Sequence, residues 1–228
     1  MDAHLPCLER ITATPAGSPP DAAVIWMHGL GADASDFEPI VPVLQLPAGT
    51  AIRFVFPNAP VRPITINGGM RMPGWYDIAD LGGRDQDEAG IRESQRAIDA
   101  LIAREVSRGV ASNRIVLAGF SQGGVIALQA GLRHAQPLAG VLAMSTYLGL
   151  AESLRAEQSQ ANLGIPIFMA HGTQDEMISI DFARRSRQTL QAHGHAVQWQ
   201  EYPMGHEVCP EEIVAIGQWL GKVLAPAK

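Results

Sequence analysis

The amino-acid sequence predicts an α/β domain built on a mostly parallel, doubly wound sheet with helices on both faces. Three observations carry that expectation. Short runs rich in β-branched and aromatic residues alternate with longer segments of helical period along the whole chain. Most of those runs are apolar nearly throughout, as strands covered on both faces are. The 228 residues suit one domain with a sizeable core, and no repeat, linker or composition break divides them.

Taken in order, residues 7–13 (CLERITA) read as an antiparallel edge strand, followed by strands at 22–27 (AAVIWM) and 51–56 (AIRFVF). Between the latter two, MHGLGADASDF at 27–37 is a Gly-rich turn expected to open a helix, with Asp33 or Ser35 as its cap. Residues 57–84 break the rhythm, with four Pro, five Gly and no sustained period. Their Met70, Met72, Trp75 and Tyr76 are poor composition for disorder, so an ordered lid or pocket wall is expected. Residues 87–108 then place Ile91, Ile98, Leu101, Ile102 and Val106 on one helical stripe with charged residues opposite. Further strands are expected at 114–120, 138–144, 165–170 and 196–202, and further helices at 122–134, 179–193 and 210–224.

Composition narrows the partners. The chain is 46% hydrophobic and 18% charged, with a net charge of −6 and neither acidic runs nor basic stripes, which argues against nucleic acid. Its apolar stretches fall well short of the roughly 20 residues a membrane span needs, so stable insertion is not expected. The start, MDAHLPCLER, has no apolar stretch of secretory type. Cys7 and Cys209 stand far apart in no metal-type spacing and read as free thiols of a reducing cytoplasm.

The chemistry is concentrated at AGFSQGG, residues 118–124, where a strand meets a helix. Gly119-Phe120-Ser121-Gln122-Gly123 fits G-x-S-x-G, a strained turn that projects a serine hydroxyl out of the sheet. Such a serine needs a base to take its proton. His206, in the loop after the last strand, is the favoured base, because active sites of α/β sheets collect beyond the strand ends. His134 reads instead as a helix-end dipole partner, His171 as structural, and His193 and His195 as a solvated turn. Asp175, just past the strand at 165–170, is the favoured acid to orient the imidazole. Its competitor Asp181 falls at a helix start, where a carboxylate serves the dipole. The N–H groups of Gln122 and Leu30 are the expected oxyanion donors. Met72 and Trp75 of the 57–84 segment, with Met144 and Met177, are candidates for an apolar substrate groove. Methionine is flexible enough to suit acyl chains of varied length. No metal-type cluster of ligands is evident.

In this order and at these separations, HGLGADASDF, FPNAPVRPITINGG, WYDI, GFSQGG, HGTQDEMI and GHEV make the whole chain resemble the carboxylesterase/acyl-protein thioesterase family of α/β-hydrolases. The resemblance implies the α/β-hydrolase fold and a triad of Ser121, Asp175 and His206, with Leu30 and Gln122 backbones as the oxyanion hole. It also implies a cofactor-free, cytoplasmic enzyme, often a homodimer. The expected substrates are short- to medium-chain acyl esters, with protein thioesters or lysophospholipids as alternatives. A catalytically silent binding protein of the same fold usually lacks a triad member, and none is lacking here.

Overall fold

The computed structural model describes residues 4–12, 19–47, 51–80 and 86–225. In chain order these form β1 (Cys7–Ile11), β2 (Ala22–Met27), β3 (Ile52–Pro57), β4 (Val61–Ile64), β5 (Met70–Pro73), α1 (Glu88–Ser107) and β6 (Ile115–Phe120). There follow α2 (Gln122–Arg133), β7 (Gly140–Met144), α3 (Leu154–Glu157), β8 (Ile167–Gly172), α4 (Ile180–Ala192), β9 (Val197–Tyr202) and α5 (Pro210–Val223). Seven strands form one sheet in the order β1-β3-β2-β6-β7-β8-β9. Only the edge strand β1 runs antiparallel, against β3; the other pairs are parallel.

Period-two alternation explains why the central strands are apolar throughout. In β2, Ala23, Ile25 and Met27 enter one core while Ala22, Val24 and Trp26 enter the other. The first core is closed by Ile91, Ile98 and Leu101 of α1, by α2, and by Leu190 of α4. The second is closed by Phe37, Ile40 and Leu44 and by Ile216, Trp219 and Leu220 of α5. The sheet is thus covered on both faces, as an α/β-hydrolase sheet is.

The strands and long helices expected from the sequence lie within two residues of their observed bounds, and three details differ. No α-helix opens after residues 27–37. Asp33 instead accepts from the Ser35 N–H at 2.8 Å in a local turn. The chain then makes a 3₁₀ helix, Glu38–Val43, that contains Pro42, whose ring leaves no N–H for an α-helical bond. Within 57–84, β4 and β5 pair as an antiparallel hairpin through Thr65–Asn67 and two left-handed glycines, Gly68 and Gly69 (residues 81–84 lie outside the described ones). Val106 is 40% exposed and leaves the α1 stripe at its last turn.

One close approach places α2. A methyl group on Gly123 would stand 2.4 Å from Met27 O and 2.6 Å from His28 O, so only glycine lets the helix start lie against the end of β2. Gly123→Ala is expected to push α2 off the sheet. It should cost about 1–3 kcal/mol, as overpacking does, and the loss should show as a lower Tm together with lost turnover. An unchanged Tm would mean that the helix start is not held by this contact.

Candidate active site

β6 ends at Phe120 and α2 begins at Gln122, which leaves Ser121 alone to turn the chain. Its backbone sits at φ 54°, ψ −121°, where a non-glycine residue carries strain of order 1–3 kcal/mol. Hydrogen bonds to both ends of its backbone hold it there. Ser121 N–H donates to Met144 O at 2.9 Å, and Gly124 N–H donates to Ser121 O at 3.0 Å. Thr146 Oγ1 donates to the same carbonyl at 2.7 Å.

The side chain continues into a chain of hydrogen bonds. Ser121 Oγ donates to His206 Nε2 at 2.9 Å, and His206 Nδ1 donates to Asp175 Oδ2 at 2.7 Å. The other carboxylate oxygen, Oδ1, accepts the N–H groups of Met177 at 2.9 Å and Ile178 at 2.8 Å. With the imidazole hydrogen on Nδ1, toward the carboxylate, the Nε2 lone pair faces the serine. Phe120 packs on the His206 ring with centroids 4.8 Å apart. The two loops that carry acid and base are joined. Thr173 N–H donates to Tyr202 O at 2.8 Å and Gln174 N–H donates to Met204 O at 3.0 Å.

The turn after β2 passes beside the nucleophile. A Cβ on Gly29 would stand 3.6 Å from Ser121 Cβ, and Gly31, at φ 77°, donates its N–H to Pro73 O at 2.8 Å. Leu30, between them, and Gln122, at the start of α2, both line the groove at Ser121. Backbone N–H groups of a helix start have no intrahelical partner, and the helix dipole favours negative charge there. One N–H from that helix start and one from the turn at Leu30 suit an oxygen that gains charge during acyl transfer.

The groove has a volume of about 450 Å³ and a mostly apolar lining, including Leu30, Ile66, Met72, Ile78, Phe120, Met177 and Ile178. Met72 and Met177 therefore stand where the sequence placed them, and Met177 is 53% exposed on the rim. Asn67 Nδ2 donates to Met72 Sδ at 3.4 Å, which ties that side chain to the hairpin. Across the groove the Tyr76 and Tyr147 hydroxyls meet at 3.0 Å, and burial raises the pKa of both.

Two expected groove residues are elsewhere. Met144 is fully buried, because alternation along β7 sends it with Leu142 into the second core, and only its carbonyl serves the elbow. Trp75 is also fully buried and forms no wall. Its indole N–H donates to His28 O at 2.9 Å, and its backbone N–H donates to Gln122 Oε1 at 2.8 Å. Gln122 Nε2 donates in turn to Tyr76 O at 2.7 Å. His28 closes the network, donating from Nδ1 to Gly29 O at 2.7 Å while Nε2 accepts the Ala59 N–H at 3.1 Å. Burial lowers its pKa, which keeps it neutral. The Gln122 side chain and Trp75 thus join both oxyanion-side turns. Sequence reasoning used only the Gln122 backbone. The signal available was an indole, a polar handle on a bulky body, in the aperiodic segment, and an amide at the first position of α2.

The other titratable candidates lie apart from this chain of bonds. His134 ends α2 and meets Asp99 Oδ1 at 2.9 Å, and Asp181 starts α4, 3.1 Å from Arg184. His193 Nδ1 donates to Thr189 O at 2.8 Å. His195 is buried rather than solvated, because the turn at Gly194 folds it inward, and burial lowers its pKa. Glu212, in the first turn of α5, is fully buried, and burial pushes its pKa up to about 8. Among the described residues no group of three His, Cys, Asp or Glu is placed to hold a metal ion. Among them, too, no helix is long and apolar enough to cross a membrane.

Comparison with known proteins agrees with this architecture. Acyl-protein thioesterase 1 of Gibberella zeae is 38% identical over 222 residues, covering 93% of this chain and 94% of the relative. Acyl-protein thioesterase 1 of Neurospora crassa is 39% identical over 216 residues, covering 90% of this chain and 88% of the relative. The crystal structure of Zea mays acyl-protein thioesterase 2 superposes with a TM-score of 0.81 at 27% identity, covering 96% and 99% of the two chains. Residues 9–224 match the Phospholipase/Carboxylesterase family. The chain belongs to that family, and is a serine hydrolase of acyl esters on the α/β-hydrolase fold.

Proposed function

We propose that the chain is an acyl-protein thioesterase, which removes acyl groups from thioester-linked cysteines of other proteins. The observation that carries this reading is the likeness to relatives of that name along most of the chain. Sequence analysis put oxyesters first, and the relatives move thioesters ahead of them. Short- to medium-chain oxyesters and lysophospholipids remain alternative substrates of the same chemistry. Free Cys7 and Cys209 fit a cytoplasmic setting.

In this reading Ser121, His206 and Asp175 act as nucleophile, base and orienting acid. Ser121 Oγ attacks the thioester carbonyl while His206 Nε2 takes its proton. The carbonyl oxygen gains negative charge and is received by the Leu30 and Gln122 N–H groups. The C–S bond then breaks, and the thiolate leaves with the proton from the imidazolium. A thiol of pKa about 8.5 is an easy leaving group. Water, deprotonated by His206, attacks the acyl-Ser121 ester, and the fatty acid departs as Ser121 recovers its proton. The acyl chain lies along the apolar groove, where each buried methylene contributes about 0.8 kcal/mol.

Ser121→Ala should stay folded, with kcat/KM down at least about 10⁴-fold. A fluorophosphonate should label Ser121 in the wild type and nothing in this variant. Undiminished turnover would remove Ser121 from the mechanism. For a matched pair of acyl-thioester and acyl-oxyester, kcat/KM should favour the thioester, and the reverse order would restore a carboxylesterase reading.

The groove is tested separately with p-nitrophenyl esters of graded chain length. Met72→Ala and Met177→Ala should each shift the preferred length, by up to about fourfold for each methylene whose contact is altered. A profile identical to wild type in both variants would show that the acyl chain lies somewhere else.

A further inference from the structure

We propose that His171 is a positioning residue for the Asp175–His206 pair, an assignment that rests on the reading of these residues as acid and base. Sequence reasoning set His171 aside as structural, yet its contacts run to the acid. It is the penultimate residue of β8 and its side chain is fully buried. Nε2 stands 2.8 Å from Ile178 O. A carbonyl only accepts, so Nε2 carries the hydrogen. The same N–H edge lies 3.3 Å from Asp175 Oδ2, the oxygen that receives His206 Nδ1 at 2.7 Å. One carboxylate oxygen thus faces two imidazoles.

The turn between acid and helix α4 is held to the carboxylate by the Met177 and Ile178 N–H groups, and Ile178 also links it to His171. Ile178 gives its N–H to Asp175 Oδ1 at 2.8 Å, while its carbonyl receives His171 Nε2. If the imidazole is lost, that carbonyl is left unpaired in a buried place and the Ile178 peptide is free to tilt. Its N–H then leaves Oδ1, which is left with the Met177 N–H at 2.9 Å, and the less firmly held carboxylate can rotate away from His206. His171 is suited to this because it does not become a second charge beside His206. Burial lowers its pKa, with Asp175 and Glu201 opposing and His206 assisting, and Glu201 is itself held by Arg184 at 2.8 Å. Trp199 of β9 lies nearly parallel to the ring, with an interplanar angle of 14° and centroids 6.4 Å apart, so the ring plane is set.

The backbone transmits any shift to the base as well. A Cβ on Gly172, next to His171, would stand 2.3 Å from Gly205 O and 2.4 Å from Met204 O. The loop that ends in His206 therefore rests directly on the end of β8. Displacement of a reacting group by about 1 Å costs on the order of 10²-fold in rate, and this is the scale expected when the His171 anchor is removed.

The test compares His171→Leu, which removes the N–H, with His171→Gln, whose amide places a donor where Nε2 stood. Both are assayed with p-nitrophenyl butyrate after thermal melts have shown that they fold. His171→Leu should lower kcat by about 30- to 100-fold with KM changed less than about twofold, and labelling of Ser121 by a fluorophosphonate should slow in parallel. His171→Gln should recover most of the loss. Wild-type kcat in the leucine variant overturns the proposal, as does an equal loss in both folded variants or a change confined to KM. If the leucine variant does not fold, His171→Asn, whose donor falls short of Ile178 O, takes its place against His171→Gln. Asp175→Ala and Ser121→Ala separate the two levels of the argument. Activity retained in either of these sinks the triad reading itself, whereas their inactivity beside a fully active His171→Leu sinks only the role of His171.

Discussion

Where α2 passes the end of β2, the Cα of Gly123 faces the carbonyls of Met27 and His28 with no room for a methyl group. A second close approach lies at the end of β6, where a Cβ on Gly119 would stand 2.2 Å from Gly123 O. These two approaches leave the chain one residue in which to reverse from strand to helix, and that residue is Ser121. Its strained backbone is a consequence of the packing, and its exposed hydroxyl is a consequence of the strain. The turn after β2 is brought beside the nucleophile by the same contact. Ser121, the start of α2 and the turn after β2 are therefore one packed unit.

His206 and Asp175 belong to a second unit, formed where the loops after β8 and β9 are joined by backbone hydrogen bonds. The two units meet at the Ser121–His206 hydrogen bond and in the packing of Phe120 on the imidazole. Parallel strand order makes this possible. β6, β7, β8 and β9 are neighbours in the sheet, so their C-terminal ends bring residues 121, 175 and 206 to one edge of the sheet although they are far apart in the chain.

Much of this was legible in the sequence because the signals were local. Strand–helix alternation and fully apolar strands gave the layer order, and glycines two residues either side of Ser121 marked the elbow. Asp175 and His206 were expected in loops just beyond strand ends, and both stand there. What the sequence did not show was of another kind. Side-chain direction at a strand end depends on register, so Met144 read as a groove residue and is in the core. Trp75 read as a wall, but its indole N–H found a buried carbonyl, and a satisfied tryptophan sinks. His195 read as solvated because a Gly-rich turn resembles an exposed one. The hairpin β4–β5 was hidden because its strands have four residues each and contain Pro63 and Pro73, which leave too short a run for alternation to register.

Glu212 follows the base by six residues and is enclosed at the start of α5. The Cys209 backbone N–H favours its anion, but burial outweighs that and its pKa stands at about 8 against 4.5 in the open chain. The sign of the linkage follows. The folded chain holds this proton more tightly than the unfolded chain, so the associated stability is complete below about pH 4.5. It drains away as pH rises through about 8. The helix that anchors the far end of the His206 loop thus carries its own alkaline limit. In mild base the start of α5, just beyond the His206 loop, is therefore the part of the site whose stability is lowered.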